Sequence, residues 1–202
     1  MKFLSARLLP LCAVLALAGC ASDPVNYYTL APSSPPKAVA SAPAGAPLVE
    51  VLSVSVPPQI DLPQVVIRTG TGQVDSLDGD RWVGPLPDEF RGALAQALSA
   101  EMGTPAIQGL RADPRTPVWR VQVDIQRFET LSGEAVELGA VWRARLSPED
   151  RATPVCRSDL RESIGNGVPA AVEGHQRNVA ALAGQIAQTL KAAGAAASRC
   201  PA

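Results

Sequence analysis

Three stretches in the second half of the chain alternate apolar and polar residues with a period of two. From Val118 to Phe128, Trp119, Val121, Val123 and Ile125 alternate with Arg120, Gln122, Asp124 and Gln126. From Ala135 to Leu146, Val136, Leu138, Ala140, Trp142, Ala144 and Leu146 share one parity. From Val155 to Ile164, Cys156, Leu160 and Ile164 take one face while Arg157, Asp159 and Arg161 take the other. Strand side chains point alternately to opposite faces, so these runs predict an antiparallel meander with one covered and one wet face. The wet face gathers Arg120, Arg143, Arg145, Arg157 and Arg161 with Asp124, Glu137 and Asp159. Cross-strand charge pairs account for such a face, and so does a docking surface for an acidic partner.

Two segments change period. Leu86, Phe90, Leu94, Ala97, Leu98 and Met102 recur at helical spacing, predicting a helix from about Pro87 to Met102. Asp88 and Glu89 fall in its first turn, where carboxylates complement the helix dipole, so the pair needs no catalytic explanation. Val172, Val179, Leu182, Ala183, Ile186 and Leu190 mark a second helix from Pro169 to about Ala193. Earlier, Leu48 to Val56 and Gln64 to Thr69 read as strands, with Gly70-Thr71-Gly72 as a turn, Gln73 to Leu77 as a return strand and Asp78-Gly79-Asp80 as a further turn. Asn26 to Leu30 is a short β-type run, and the Pro- and Ala-rich segment 31–47 cannot join a ladder or a helix. The expected fold is α+β: a mostly antiparallel sheet, meander plus N-terminal strands, with two main helices packed on one face. The aromatic run ahead of segment 31–47 pairs with that sheet, making the segment a long loop inside the domain.

The N-terminus carries different information. Lys2 and Arg7 precede an apolar run from Leu8 to Ala18, which leads into Leu17-Ala18-Gly19-Cys20. A basic start, a short apolar run and small residues ahead of a cysteine form a lipoprotein export signal, too short for a spanning helix of about 20 residues. Residues 1–19 are therefore expected to be removed and Cys20 acylated. The remaining 20–202 would form a single periplasmic domain. Several acyl chains hold a protein stably on its membrane, whereas one holds only marginally. Ala21 and Ser22 follow Cys20, with no Asp in the next position, which favours the outer membrane by resemblance to enterobacterial sorting.

Composition adds limits. Hydrophobic residues make up 47% of the chain, enough for a core, but aromatics only 4%. A net charge of −1 supplies no field for nucleic acid. Cys156 and Cys200 remain after cleavage and lipidation, and in an oxidising compartment a leftover pair reads as a disulfide; two unpaired thiols are the other reading. His175 is the sole histidine, and no cluster with metal-ligand spacing, no G-x-S-x-G elbow and no nucleophile–base pair is present. The sequence gives no sign of an enzyme, a metal site or a cofactor.

One family resemblance joins these pieces. Cys20, Tyr27-Tyr28-Thr29-Leu30, Val54-Ser55-Val56-Pro57, Ile60 to Arg68, Asp80-Arg81-Trp82-Val83-Gly84-Pro85-Leu86 and the helix from Asn178 to Leu190 stand in that order. Order and spacing resemble the ABC-type transport auxiliary lipoproteins of the PqiC/YmbA kind, found beside MCE-type lipid transporters. The resemblance implies a periplasm-facing subunit, anchored in the outer membrane, of a machine moving lipids between the two membranes. Its partners would be an MCE-domain protein that bridges the periplasm, the ABC transporter, and further copies of itself. Pro57, Asp61, Pro63, Arg68 and Trp82 are the residues expected to meet such a partner. The contrasting expectation is an envelope assembly or scaffold lipoprotein without a transport role.

Overall fold

Two long strands, β5 (Val118–Leu131) and β6 (Ala135–Ser147), pair antiparallel along their whole length and form the axis of the molecule. The computed structural model describes residues 24–32, 45–195 and 199–201. The expected export signal with Cys20, and most of the Pro/Ala segment, lie outside the described residues. The elements run β1 (Asn26–Tyr28), β2 (Leu48–Ser55), β3 (Gln64–Gly70), β4 (Gln73–Trp82), α1 (Leu86–Met102), β5, β6, β7 (Arg151–Ala152), β8 (Cys156–Ser163) and α2 (Val168–Ala195).

Each outer edge of the β5–β6 pair is shared end to end by two shorter strands. Along β5, β2 runs parallel from Val118 to Asp124, and β3 meets the far end at Arg68↔Leu131. Along β6, β8 covers Ala135 to Trp142 and β7 covers Arg145 and Leu146. Antiparallel to β3 lies β4, which carries β1 as a parallel strand on its other edge. The α+β class and the antiparallel meander β5–β6–β8 follow the alternation, since a covered face fixes register to within one residue.

The N-terminal strands depart from expectation at one place. Asp78-Gly79-Asp80 is not a turn, because β4 continues through it to Trp82. Its register with β3 jumps from Val65↔Leu77 to Gln64↔Arg81, so residues 78–80 bulge away from β3 while Asp80 pairs with Asn26 of β1. An Asp-Gly-Asp run reads as a reversal when its neighbours are unknown. A bulge accommodates the same residues when a second strand is present to take up the freed edge.

Both helices pack on the covered face. Val49, Val51, Trp119, Val121, Ile125, Leu138, Trp142 and Leu146 from the sheet meet Phe90, Leu94 and Leu98 of α1 and Val179, Leu182, Ile186 and Leu190 of α2 in one core. Asp88 and Glu89 do lie in the first turn of α1, with Pro87 among its first positions. At the other end Gly103 adopts φ 65°, a left-handed stop that suits glycine. Helix α2 comes so close to the sheet that a Cβ on Gly174 would lie 2.5 Å from Ile164 Cγ2 and 2.8 Å from Val136 Cγ2. Two buried polar side chains are partnered across the core: Trp142 Nε1 donates to Ser158 Oγ at 2.9 Å, and Asn178 Nδ2 donates to the Val136 carbonyl at 3.3 Å.

His175 sits one turn before Val179 and is buried. Its ring stacks on Phe128 with centroids 3.8 Å apart, and Nε2 lies 2.9 Å from Thr130 Oγ1. Burial pushes its pKa down to about 3, so the imidazole is neutral at pH 7. Among the described residues no group of His, Cys, Asp and Glu is arranged to hold a metal ion.

The pair Cys156–Cys200 is bonded, with a Cα–Cα distance of 5.2 Å. Cys156 is buried at the start of β8, and the bond holds the segment beyond α2 against it. No described helix is long and apolar enough to cross a membrane.

Candidate docking surface

The stretch after β2 is shaped by its prolines. Lacking N–H groups, they serve as acceptors: Ile60 N donates to Pro57 O at 3.0 Å, Asp61 N to Pro58 O at 3.3 Å, and Trp82 N to Pro63 O at 2.8 Å. These turns carry the chain from β2 to β3 across a gap in the sheet. Between Asp124, the last partner of β2, and Leu131, the partner of β3, no described strand pairs with that edge of β5. A cleft of about 100 Å³ opens there, lined by Pro57, Ile60, Val66, Val74 and Phe128, with Arg68 and Glu129 among its polar members. Arg68 closes on Glu129 through two bonds, Nη2 to Oε1 at 2.6 Å and Nε to Oε2 at 3.0 Å. This pairing raises the Arg68 pKa.

The five residues expected at a partner interface therefore separate. Pro57 and Arg68 line one cleft, while Asp61 and Pro63 lie on the exposed turn beside it. Trp82 does not reach the surface: it is 5% exposed, packed at 6.0 Å from the Phe128 ring. Its neighbour Val83, 63% exposed, is what that loop presents to solvent.

The wet face of the sheet is cross-linked by charge. Glu137 on β6 accepts from Arg127 on β5 at 2.9 Å and from Arg161 on β8, whose second nitrogen bonds Glu134 at 2.6 Å. Arg120 reaches Glu50 at 3.1 Å, and Arg145 pairs with Asp150. Arg157 grips Asp159 through 2.7 and 2.9 Å contacts, and that hydrogen bonding lowers the Asp159 pKa. Arg143 has a neutral partner, Gln122 Oε1 at 3.0 Å.

At one end of this face the sheet is hollowed. A groove of about 420 Å³ is bounded by Leu52, Arg120, Arg143, Arg145, Pro148, Asp150 and Val155. Leu52 reaches it because β2 shifts register between Val51 and Ser53, turning a leucine outward to 45% exposure. Its place in an apolar run hid that bulge from sequence reasoning.

Glu89 and Gln176 were likewise not legible as contacts. Glu89 Oε2 accepts from Thr29 Oγ1 at 2.6 Å and from Leu30 N at 3.0 Å. Gln176 Nε2 donates to the carbonyls of Thr29 and Ala31 at 3.0 and 2.9 Å. Together they hold the segment after β1 across the start of α1 and the third turn of α2, with Leu30 buried.

The fold is thus an α+β sheet backed on one face by two helices. The chain belongs to the family described as the ABC-type transport auxiliary lipoprotein component, whose model matches residues 28–187, from β1 into α2. It is therefore a membrane-anchored lipoprotein of the cell envelope in its class. A crystal structure of an uncharacterized protein shares the fold, with TM-score 0.62 and 19% identity over 83% of this chain and 99% of that one. So does a Xanthomonas campestris protein of family DUF330, with TM-score 0.58 and 18% identity over 77% of this chain and 91% of that one. No curated protein sequence matches this chain.

Proposed function

We propose that the chain is acylated at Cys20 and serves as the outer-membrane-anchored auxiliary subunit of an ABC transporter that moves lipids through an MCE-domain protein. The family match over residues 28–187 carries this reading. The export signal ending at Cys20, with Ala21 and Ser22 after it, supports the anchor and the membrane. The work of such a subunit is mechanical. Acyl chains hold one end of a conduit, and the folded domain offers surfaces to the rest of it. The Pro57–Arg68 segment, with its cleft against β5, is the first of these surfaces. Extended loops rich in proline bind with little loss of conformational freedom, because their dihedral angles are already restricted.

Photo-crosslinkers placed at Asp61 and Arg68, with Leu110 as an exposed control at the other end of the sheet, test the reading in native envelopes. Adducts with an MCE-domain protein from positions 61 and 68, and none from 110, are the expected outcome. Recovery of only this chain, or of cell-wall and outer-membrane assembly factors, would sink the transport role and leave a scaffold lipoprotein.

A further inference from the structure

The chain leaves its anchor by a short path. Five residues, 21–25, separate Cys20 from Asn26 at the start of β1. At about 3.4 Å per residue that path spans about 20 Å at most. By the same measure the 14 residues of β5 extend about 45 Å. If β1 were free, the next fixed point would be β2 at Leu48, and a path of about 95 Å would let the domain drift well clear of its membrane. But β1 is not free. It pairs with Asp80, Arg81 and Trp82; Asn26 and Tyr28 both bond Asp80 Oδ1, at 3.1 and 3.0 Å; and Glu89 and Gln176 hold the residues that follow.

The edge that β1 forms is unusually apolar for a free strand edge. Tyr27 is 65% exposed, Val83 63%, and Val25 is also exposed. Tyr27 lies opposite Arg81, so the two share the side of the sheet away from Tyr28 and Trp82. Val83 N donates to the Tyr28 carbonyl, which brings Val83 beside β1, while Trp82 N bonds Pro63 O on the other edge of β4. Arg81 has one polar contact, the Asp78 carbonyl at 3.3 Å, and no carboxylate partner among the described residues. Five wet-face arginines, Arg120, Arg127, Arg145, Arg157 and Arg161, are ion-paired, and Arg143 bonds Gln122.

We infer that the β1–β4 edge rests on the bilayer that holds the anchor, with Tyr27 and Val83 in the headgroup region and Arg81 on lipid phosphate. The inference rests on the proposed acylation of Cys20. Tyrosine suits this zone because its ring is apolar and its hydroxyl polar. An unpaired cation is drawn to an anionic lipid surface. Direction agrees with distance. Because β1 is parallel to β4, its N-terminal end points toward the β3–β4 turn. The arginine-lined groove lies at the opposite end of the sheet, beside Ser147 and Asp150. An edge-down domain leaves that groove facing away from the bilayer, open to a partner.

The test uses the full lipidated chain in vesicles of phosphatidylethanolamine and phosphatidylglycerol with brominated acyl chains. An environment-sensitive dye is placed at Tyr27→Cys, Val83→Cys or, as control, Leu110→Cys. Dyes at 27 and 83 should be quenched several-fold more than at 110, and Arg81→Glu should weaken quenching at 27. If the chain floats with the vesicles but the three positions quench alike, the edge contact is wrong and the anchor stands. If the wild-type chain fails to float as the Cys20→Ser chain should, the anchor falls and the edge contact with it.

Discussion

The two faces of the sheet are built from the same strands by opposite means. On the covered face Trp119, Val121, Ile125, Leu138, Trp142 and Leu146 are almost wholly removed from water against α1 and α2. On the other face, one residue out of step, Arg120, Arg127, Arg145, Arg157 and Arg161 hold carboxylates in exposed pairs. Burial stabilises by about 25 cal/mol per Å² of apolar surface, so each large covered side chain contributes about 1.5–3 kcal/mol. An exposed ion pair contributes about 0–1 kcal/mol. Stability therefore resides on one face, and the other is free to be shaped for contact. The charges also guard it: Arg157, Asp159 and Arg161 stand along β8, an edge strand, where charged side chains oppose indiscriminate strand pairing.

Mutations should separate the faces by size of effect. Trp142→Ala would open a cavity on the covered face and strand Ser158 Oγ, with an expected loss of about 3–5 kcal/mol in urea unfolding. A loss under about 1 kcal/mol would mean the covered face is not the source of stability. Reducing Cys156–Cys200, a bond between residues 44 apart, should lower stability by about 2–4 kcal/mol, read as a drop in Tm under reducing conditions.

Acid should act on the covered face through His175. Its pKa is depressed in the folded state to about 3, so the stability held by the neutral ring is complete above the unfolded value of 6.5 and lost as pH falls. The loss should be about 1.4 kcal/mol per pH unit between those two values, or about 2 kcal/mol by pH 5. The His175→Gln chain should show a flatter pH profile over that range; an unchanged slope would assign the acid sensitivity elsewhere. The smallest effect belongs to the wet face. Arg161→Ala, which removes contacts to Glu134 and Glu137, should cost under about 1 kcal/mol and less at high salt. A loss comparable with that of Trp142→Ala would erase the contrast between the faces.

Much of this architecture is legible in the residues. Alternation in β6, β8 and the first part of β5 marks which side chains are covered, up to the shift between Ile125 and Arg127 that puts Phe128 inside, and helical spacing marks α1 and α2. The site is less so. Pro57 and Arg68 meet in one cleft, but Trp82, a large aromatic in a loop, is drawn inward by Phe128. Sequence could not tell a displayed tryptophan from a packed one, because the deciding neighbour lies 46 residues away. The outward turn of Leu52 and the grip of Glu89 on Thr29 escape for the same reason.

What the sequence determined by itself is local or periodic: the two-residue and helical periods, and the expectation of an export signal ending at Cys20. What the tertiary structure alone decided depends on pairs distant in the chain. It set the parallel pairing of β1 with β4 and the bulge at Asp78–Asp80. Periodicity records whether a position is buried, since water meets each residue individually. It does not record which neighbour buries it, because many pairings satisfy one pattern until the whole core is packed at once.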